Sequence, residues 1–404
     1  MAMKFKVNSG AADLKRFVGL ITDRESAIKN APENEINPTF KINEIAKELH
    51  PDFQKMVITE IISHDGADAK TFVFKKADGS KAAFFRAGQY VSVLLKMGES
   101  LVTRPYSICS SPMEAKQGVV KITVRNVKDG YAAPYMLENF KVGDNVTLSG
   151  PDGTFYYEPL RDAQTVIALA GGSGITPFLS MAYAIRDGLE DFNLTILFGS
   201  RNEENILFKN ELDEIAAECE KVKIVHILSD EEKEGYEHGF INAELIKKYA
   251  PADGKYSVFI CGPEAMYRFA EKEVEKLGIE KKYFRRELLG VTKNAYALPD
   301  YPEDAKNKTF KLTVVIGENE WVVDAKSDET VLTAVERAGI PAPSRCRSGE
   351  CGWCRSKLVS GTVYIPAEND TGRRYTDKEC GYIHPCASFP TSDLKIAVPG
   401  SYMK

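Results

Sequence analysis

The chain is short of the side chains that carry out acid–base chemistry by themselves: it has five His in 404 residues, and no nucleophile–base pair is evident. It also lacks a charge excess. A net charge of −5 leaves no broad electrostatic footprint for nucleic acid or an anionic membrane. No secretory leader is visible, because Met1 to Gly10 mixes Lys4 and Lys6 with polar residues and no apolar segment follows. Val166 to Ile185 carries no charge, yet Gly171, Gly172, Gly174 and Pro177 interrupt its middle. That pattern suits a strand–loop–helix rather than a membrane span. No internal repeat or low-complexity tract stands out. The expectation is a soluble cytoplasmic protein of two to four domains.

What the chain does have is cysteine in one place. Of eight, Cys109, Cys219 and Cys261 are scattered, while Cys346, Cys351, Cys354, Cys380 and Cys386 crowd the last sixty or so residues. Such clustering in a chain without a leader points to metal rather than to a disulfide framework.

Texture changes along the chain. Residues 1–50 show two weakly amphipathic helical patterns and no chemistry. Residues 51–160 carry short β-rich runs, "MVITEII", "TFVFKK", "YVSVLLKM", "VVKITVRNV" and "NVTLSG", several of them separated by turn signals such as Asp152-Gly153. That predicts an antiparallel β-barrel. Over 161–290 strands alternate with helical patterns, which predicts an α/β domain on a parallel sheet. Residues 291–309 read as a linker. Residues 310–404 open with a hairpin pattern, then a helix near 330–338, then the cysteines, as in an α+β fold.

The cysteine spacing is Cys346-x4-Cys351-x2-Cys354, with Cys386 further on. This is the plant-type [2Fe–2S] arrangement, and Gly349 and Gly352 let the loop turn tightly. Zinc would need a second short hook, and a Rieske site two His where His384 stands alone. Cys380 competes with Cys386 as fourth ligand, and spacing favours Cys386. "CRSGECGWC" with "GYIHPCA" resembles the plant-type ferredoxin domains, of β-grasp fold, fused to bacterial reductases, where a similar run precedes the last cysteine. Trp353 departs from the family, in which a small residue is more usual.

In the barrel stretch, Arg104-Pro105-Tyr106-Ser107 offers a cation for phosphate, an aromatic ring and a hydroxyl. Gly130, Tyr131, Ala132 and Ala133 then lead into a helix expected to open at Pro134, whose free amides suit a pyrophosphate. The pair resembles the ferredoxin–NADP reductase superfamily. The resemblance implies FAD in preference to FMN, with Val124 beside it and Ser107 near the flavin's reactive nitrogen. Ala133 departs from the Ser or Thr often found there.

Gly171-Gly172-Ser173-Gly174-Ile175-Thr176-Pro177 follows a predicted strand. Its glycines admit a pyrophosphate, Thr176 can cap and Pro177 suits a first helical turn. The same superfamily has such a loop, and resemblance places Cys261 of Cys261-Gly262-Pro263 beside the nicotinamide. Glu287 in "FRRELLG" is a candidate supporting residue. Arg201 could pair a 2′-phosphate, but Glu203 and Glu204 oppose one, so NADH is favoured slightly over NADPH.

Together these imply an oxidoreductase that moves electrons from NAD(P)H through FAD and [2Fe–2S] to a partner redox protein, in the domain order of the phthalate dioxygenase reductase type. The alternative is a non-catalytic electron-transfer subunit, as in some dihydroorotate dehydrogenases. Arg345, Arg347, Arg355, Lys357, Arg373 and Arg374 crowd the cysteines in sequence, which predicts a basic collar for an acidic partner.

Overall fold

The computed structural model describes residues 10–31, 40–127, 130–287, 289–290, 292, 294–370 and 372–399. The chain divides into two compact units, Met1–Lys47 and Glu48–Lys404. In the first unit and its border lie helices α1 (Gly10–Lys29) and α2 (Lys41–Leu49), neither of which has a buried residue. Among the described residues no helix is long and apolar enough to cross a membrane. The uncharged run at Val166 is a strand, a loop and a helix.

The second unit opens with six strands, β1 (Phe53–His64), β2 (Ala69–Lys76), β3 (Tyr90–Met97), β4 (Ser100–Ser107), β5 (Val119–Arg125) and β6 (Asn145–Ser149). They pair antiparallel in the order β4-β3-β6-β1-β2-β5. Edge meets edge at a bridge between Ile108 and Ile122, where the Cys109 N–H donates to the Lys121 carbonyl at 2.9 Å, and the sheet closes. Inward-facing Phe72, Phe74, Val93, Ile122 and Leu148 fill it. Each such ring contributes about 2–3 kcal/mol by burial, so Phe74→Ala would empty the centre. The sequence pattern missed β4 because Pro105 interrupts it. Proline is tolerated there because β4 lies at the edge of the sheet, where its missing N–H breaks no ladder. Helices α3 (Pro112–Ala115) and α4 (Ala132–Asn139) decorate the barrel. α4 begins two residues before Pro134, which is harmless because first-turn amides have no partner within the helix.

Six parallel strands follow: β7 (Thr165–Gly171), β8 (Asn193–Ser200), β9 (Val222–Leu228), β10 (Glu237–His238), β11 (Ser257–Cys261) and β12 (Phe284–Arg286), ordered β10-β9-β8-β7-β11-β12. Helices α5 (Thr176–Arg186), α6 (Lys209–Glu218), α7 (Ala243–Tyr249) and α8 (Glu264–Glu275) connect them. Both faces of the sheet are buried, Ala168 and Phe198 in one core and Leu169 and Leu197 in the other. This is why the strands read as continuous apolar runs.

The last sheet joins β13 (Thr309–Ile316), β14 (Asn319–Lys326), β15 (Ser356–Ser360), β17 (Tyr382–Ile383) and β19 (Leu394–Val398), ordered β14-β13-β19-β15-β17. β16 (Val363–Tyr364) pairs with β18 (Phe389–Pro390). Helix α9 (Val331–Arg337), capped by Thr330, packs on the mixed sheet through Val331, Ala334 and Val335. α10 (Tyr375–Glu379) lies before β17. This is the β-grasp arrangement. The stretch expected to be a linker is not loose: Ala295, Tyr301 and Ala305 form a small core with Tyr364 and Phe389.

Candidate functional site

β4 and β11 end at the same point. Register pairs Ile260 of β11 with Arg286 of β12, so Cys261 and Glu287 leave the sheet side by side. Ser107, the last residue of β4, donates its hydroxyl to Glu287 Oε2 at 2.7 Å, and the Cys261 thiol approaches the same oxygen at 3.3 Å. The Tyr267 hydroxyl donates to the Glu287 carbonyl and accepts from the Gly262 N–H at 3.3 Å. Glu287 is 5% exposed, and its Oε1 has no partner. Burial pushes its carboxyl up to about 7, although the Ser107 and Cys261 donors pull the other way. Burial, then the neighbouring Glu287, holds the Cys261 thiol well above its ordinary range, so it remains a thiol. The arrangement is a dry carboxyl that can hold or release a proton near neutrality, flanked by two uncharged donors. The sequence pointed to Ser107 and Cys261 and named Glu287 only as a supporting candidate; strand register brings it to the point where the other two meet.

The glycine-rich loop lies against the same strand ends. Gly174 packs so closely on the Cys261 backbone that a Cβ would stand 2.1 Å from its carbonyl oxygen. Gly172, at φ +54, lies under the Arg125 guanidinium, where a Cβ would be 2.5 Å from Nη1. Thr176 does not cap an amide; its hydroxyl donates to the Ser173 carbonyl at 2.9 Å, and α5 starts without a side-chain cap. The Thr176 N–H is itself taken by the Ser173 carbonyl and Pro177 has none, so an anion here would have to meet the turn of Gly172 to Ile175 that leads into α5 rather than the first amides of the helix. Gly171 and Gly262 both leave room for the Met266 thioether. Pro263 precedes α8. Arg125 was missed by the sequence reading: it ends β5, and nothing in its local motif marks it.

Arg104 departs from expectation. Its guanidinium lies 3.7 Å from Glu336 of α9 and donates to the Thr103 carbonyl at 2.8 Å. Glu336 also takes Arg347 at 2.5 Å. Burial and then the nearby Arg347 lower Arg104 to about 10. Two guanidiniums share one buried carboxylate, so one positive charge is left over, and a phosphate would balance it. Pro105 pairs with Ser92 on β3. Tyr106 is partly buried over α4, its hydroxyl 3.5 Å from the Met136 sulfur, and desolvation pushes it up to about 12. Val124 is buried in the barrel core; Gly130 and Tyr131 lead into α4 and Ala132 and Ala133 open it, with no side-chain cap.

The four cysteines expected as ligands meet. The Cys346 thiol touches those of Cys351 and Cys386, and Cys354 Sγ lies 3.4 Å from Cys386 Sγ. The amides of Ser348 and Cys351 point at Cys346 sulfur at 3.4 Å, and that of Trp353 at Cys351 sulfur at 3.5 Å. Gly349 and Gly352 take φ of +86 and +71, and so does Arg347 at +61. His384 is occupied by the Gly349 carbonyl, and Cys380 is exposed. Among the described residues no three His, Cys, Asp or Glu side chains converge as a single-ion site. A chain of four thiols with amides aimed at the sulfurs fits a bridged two-iron group. Orphaned buried polar atoms gather here too: Tyr90 hydroxyl, Glu287 Oε1, Arg345 Nε and Ser348 Oγ all lack partners. Dry unpaired groups at one junction fit sites made for bound groups.

The collar is less basic than its spacing suggests. Arg345 and Arg347 are buried. Arg345 stacks on Trp353 at 3.5 Å and reaches Asp152 at 3.3 Å, so Trp353 serves the barrel junction. Arg355 pairs with Asp377 and Arg373 with Asp370. The Lys357 ammonium donates to the Cys380 carbonyl.

Three family models match in order: the oxidoreductase FAD-binding domain over residues 55–157, the oxidoreductase NAD-binding domain over 168–272 and the 2Fe-2S iron-sulfur cluster binding domain over 314–391. The chain belongs to the flavoprotein reductases that join FAD, NAD and [2Fe–2S] domains in one polypeptide. It is an NAD(P)H-dependent oxidoreductase that passes electrons through FAD and a [2Fe–2S] cluster to an acceptor. It is 28% identical over 343 residues to the glycine betaine monooxygenase reductase subunit of Chromohalobacter salexigens, covering 81% of this chain and 91% of that one. It is 28% identical over 353 residues to the 3-ketosteroid-9-alpha-monooxygenase ferredoxin reductase component of Mycolicibacterium smegmatis, covering 84% and 95%. These match the reductase reading and not that of a non-catalytic subunit. In fold it resembles phthalate dioxygenase reductase, with a TM-score of 0.60 and 24% identity, over 86% of this chain and 98% of that one.

Proposed function

We propose that the chain is the cytoplasmic reductase component of an oxygenase system and uses NADH. The observation that carries the reading is the meeting of Ser107, Cys261 and Glu287 at the edge of a cavity that Glu350 of the cluster loop also lines. Electron entry and exit thus share one junction. When bound, the dinucleotide supplies two electrons together, and the flavin and cluster hand them on singly. The chain's own work is to bind and orient. Arg104, with Tyr106, Val124 and the entry to α4 (Gly130 to Ala133), holds the FAD; Gly171 to Pro177, Arg125 and Gly262-Pro263 hold the dinucleotide. Cys261 and Ser107 keep water from the reacting face, and Glu287 holds a proton at Oε1, the oxygen that accepts from neither of them. Cys346, Cys351, Cys354 and Cys386 hold the iron. The division into 51–160, 161–290 and 310–404 follows these three tasks.

NADH is supported by charge at the carboxyl ends of β8 and β9. Arg201 is exposed there and gives its carbonyl to the Asp230 N–H at 2.9 Å. Glu203 is already held by Lys233 and Tyr236, so Lys233 is spent on a carboxylate and adds no cation for a 2′-phosphate. Asp230, Glu231 and Glu232 follow on the next loop, and carboxylates at this edge suit a ribose hydroxyl and repel a phosphate. Purified protein should therefore reduce ferricyanide faster with NADH than with NADPH, and Asp230→Arg should narrow the ratio of kcat/KM values by about tenfold. A parent that prefers NADPH overturns the assignment.

A further inference from the structure

Tyr90 stands at the start of β3, where its backbone exchanges hydrogen bonds with Asp152 at 3.0 and 2.9 Å. Its neighbour across the ladder is Ser107. The residue is 3% exposed, yet its hydroxyl has no partner. A buried hydroxyl without a partner costs about 1–3 kcal/mol, which a phenylalanine of the same shape would avoid. The ring is held in place: a Cβ on Gly153 would lie 2.9 Å from both Cδ1 and Cε1. It lines the cavity of about 190 Å³ that Glu287 and Glu350 also line, the latter lying between Cys346 and Cys351 in the chain. Burial raises the phenol well above its ordinary range, and negative charge on Cys351 and Cys346 acts next in size. The hydroxyl is thus an unpartnered donor on a strand of the barrel, beside the cavity that Glu350 of the cysteine loop also lines, and Asp152, with which Tyr90 pairs, takes Arg345, the residue before Cys346.

We propose that the Tyr90 hydroxyl donates a hydrogen bond to sulfur at the Cys346–Cys351 edge of the cluster, and that this bond raises the cluster's reduction potential. The inference rests on the reading of Cys346, Cys351, Cys354 and Cys386 as the ligands. Reduction places added negative charge on the sulfurs, so a donor stabilises the reduced state more than the oxidised one. Backbone amides of the loop already serve Cys346 and Cys351. Tyr90 adds a donor from the flavin-binding domain, which ties the potential of the electron outlet to correct seating against the barrel.

The test compares the parent holoprotein with Tyr90→Phe by iron and acid-labile sulfide content and by an EPR-monitored redox titration. Tyr90→Phe should keep the parent's iron, sulfide and flavin. Its cluster should become harder to reduce by about threefold to tenfold, the upper figure corresponding to about 59 mV for one electron. A site-specific Tyr90→3-fluorotyrosine replacement, a stronger donor of nearly the same shape, should shift the potential the opposite way, and it decides the matter where Tyr90→Phe fails to fold. A parent with a full cluster whose potential is unmoved by either replacement removes the proposal alone. A parent without the cluster removes the ligand reading and the proposal together.

Discussion

Where the barrel meets the nucleotide-binding sheet, a hydroxyl, a thiol and a carboxyl converge, and the carboxyl is pushed up towards neutrality. Where the barrel meets the cluster domain, the junction is ionic: Arg104 and Arg347 share Glu336, while Arg345 stacks on Trp353 and reaches Asp152. The contrast follows from what each junction handles. The first must exclude water and keep a proton available, which a low-dielectric pocket with uncharged donors does. The second must hold two domains in one register for electron transfer, which planar, multiply bonded guanidiniums do well. One barrel therefore presents a dry edge for chemistry and a charged edge for seating.

Four variants break or sharpen that contrast, in falling order of effect. Cys354→Ala should lose the iron and sulfide altogether while FAD remains, because the residues assigned to the flavin lie on the barrel. Chemical iron analysis beside the visible spectrum checks it, and retained iron would remove Cys354 from the ligand set.

Glu287→Gln tests the dry edge. The carboxyl titrates at about 7 in the folded chain against about 4.5 in the unfolded one, so the folded state holds the extra proton. Stability from this group is complete below about pH 4.5 and falls as pH rises to about 7. The variant should gain on the parent across that window by about 3 kcal/mol, from about 1.4 kcal/mol per unit. Denaturant unfolding on both sides of the window measures it, and parallel stability curves would mean the carboxyl is not desolvated. The parent's rate of flavin reduction by NADH should also inflect near neutrality, and the variant's should not.

Arg345→Ala tests the charged edge. Loss of a largely buried stacked pair should cost the junction about 1–3 kcal/mol. Limited proteolysis between the barrel and the cluster domain should speed up, with iron content unchanged. The smallest effect belongs to the outer surface. Arg373 is already paired with Asp370, so reversing Arg373 and Arg374 to Glu should slow reduction of an acceptor protein by only about twofold to threefold at low salt. A tenfold loss would restore the basic collar as a steering device.

What could be read from the sequence was whatever lies within one loop. The cysteine spacing, the glycine-rich turn and Arg104 to Ser107 are each short, and their chemistry is local. The strand runs were legible by composition, except β4, whose Pro105 hides an edge strand. What stayed hidden depends on distant pairing. Glu287 reaches Ser107 across 180 residues and becomes important only through the β11–β12 register. Arg104 finds Glu336 on a helix of another domain, and Trp353 finds Arg345, so a phosphate cation and an odd aromatic prove to be part of a domain junction. Arg125 carries no motif at all. Tyr301 buries a stretch that composition marks as a linker.

The most direct test of the electron path is anaerobic mixing of the purified holoprotein with NADH, following the flavin optically and the cluster by EPR after rapid freezing. Flavin bleaching should precede the reduced-cluster signal, and Cys354→Ala should bleach at the parent's rate yet fail to reduce an acceptor protein. A Cys354→Ala protein that reduces the acceptor protein as fast as the parent would contradict the account.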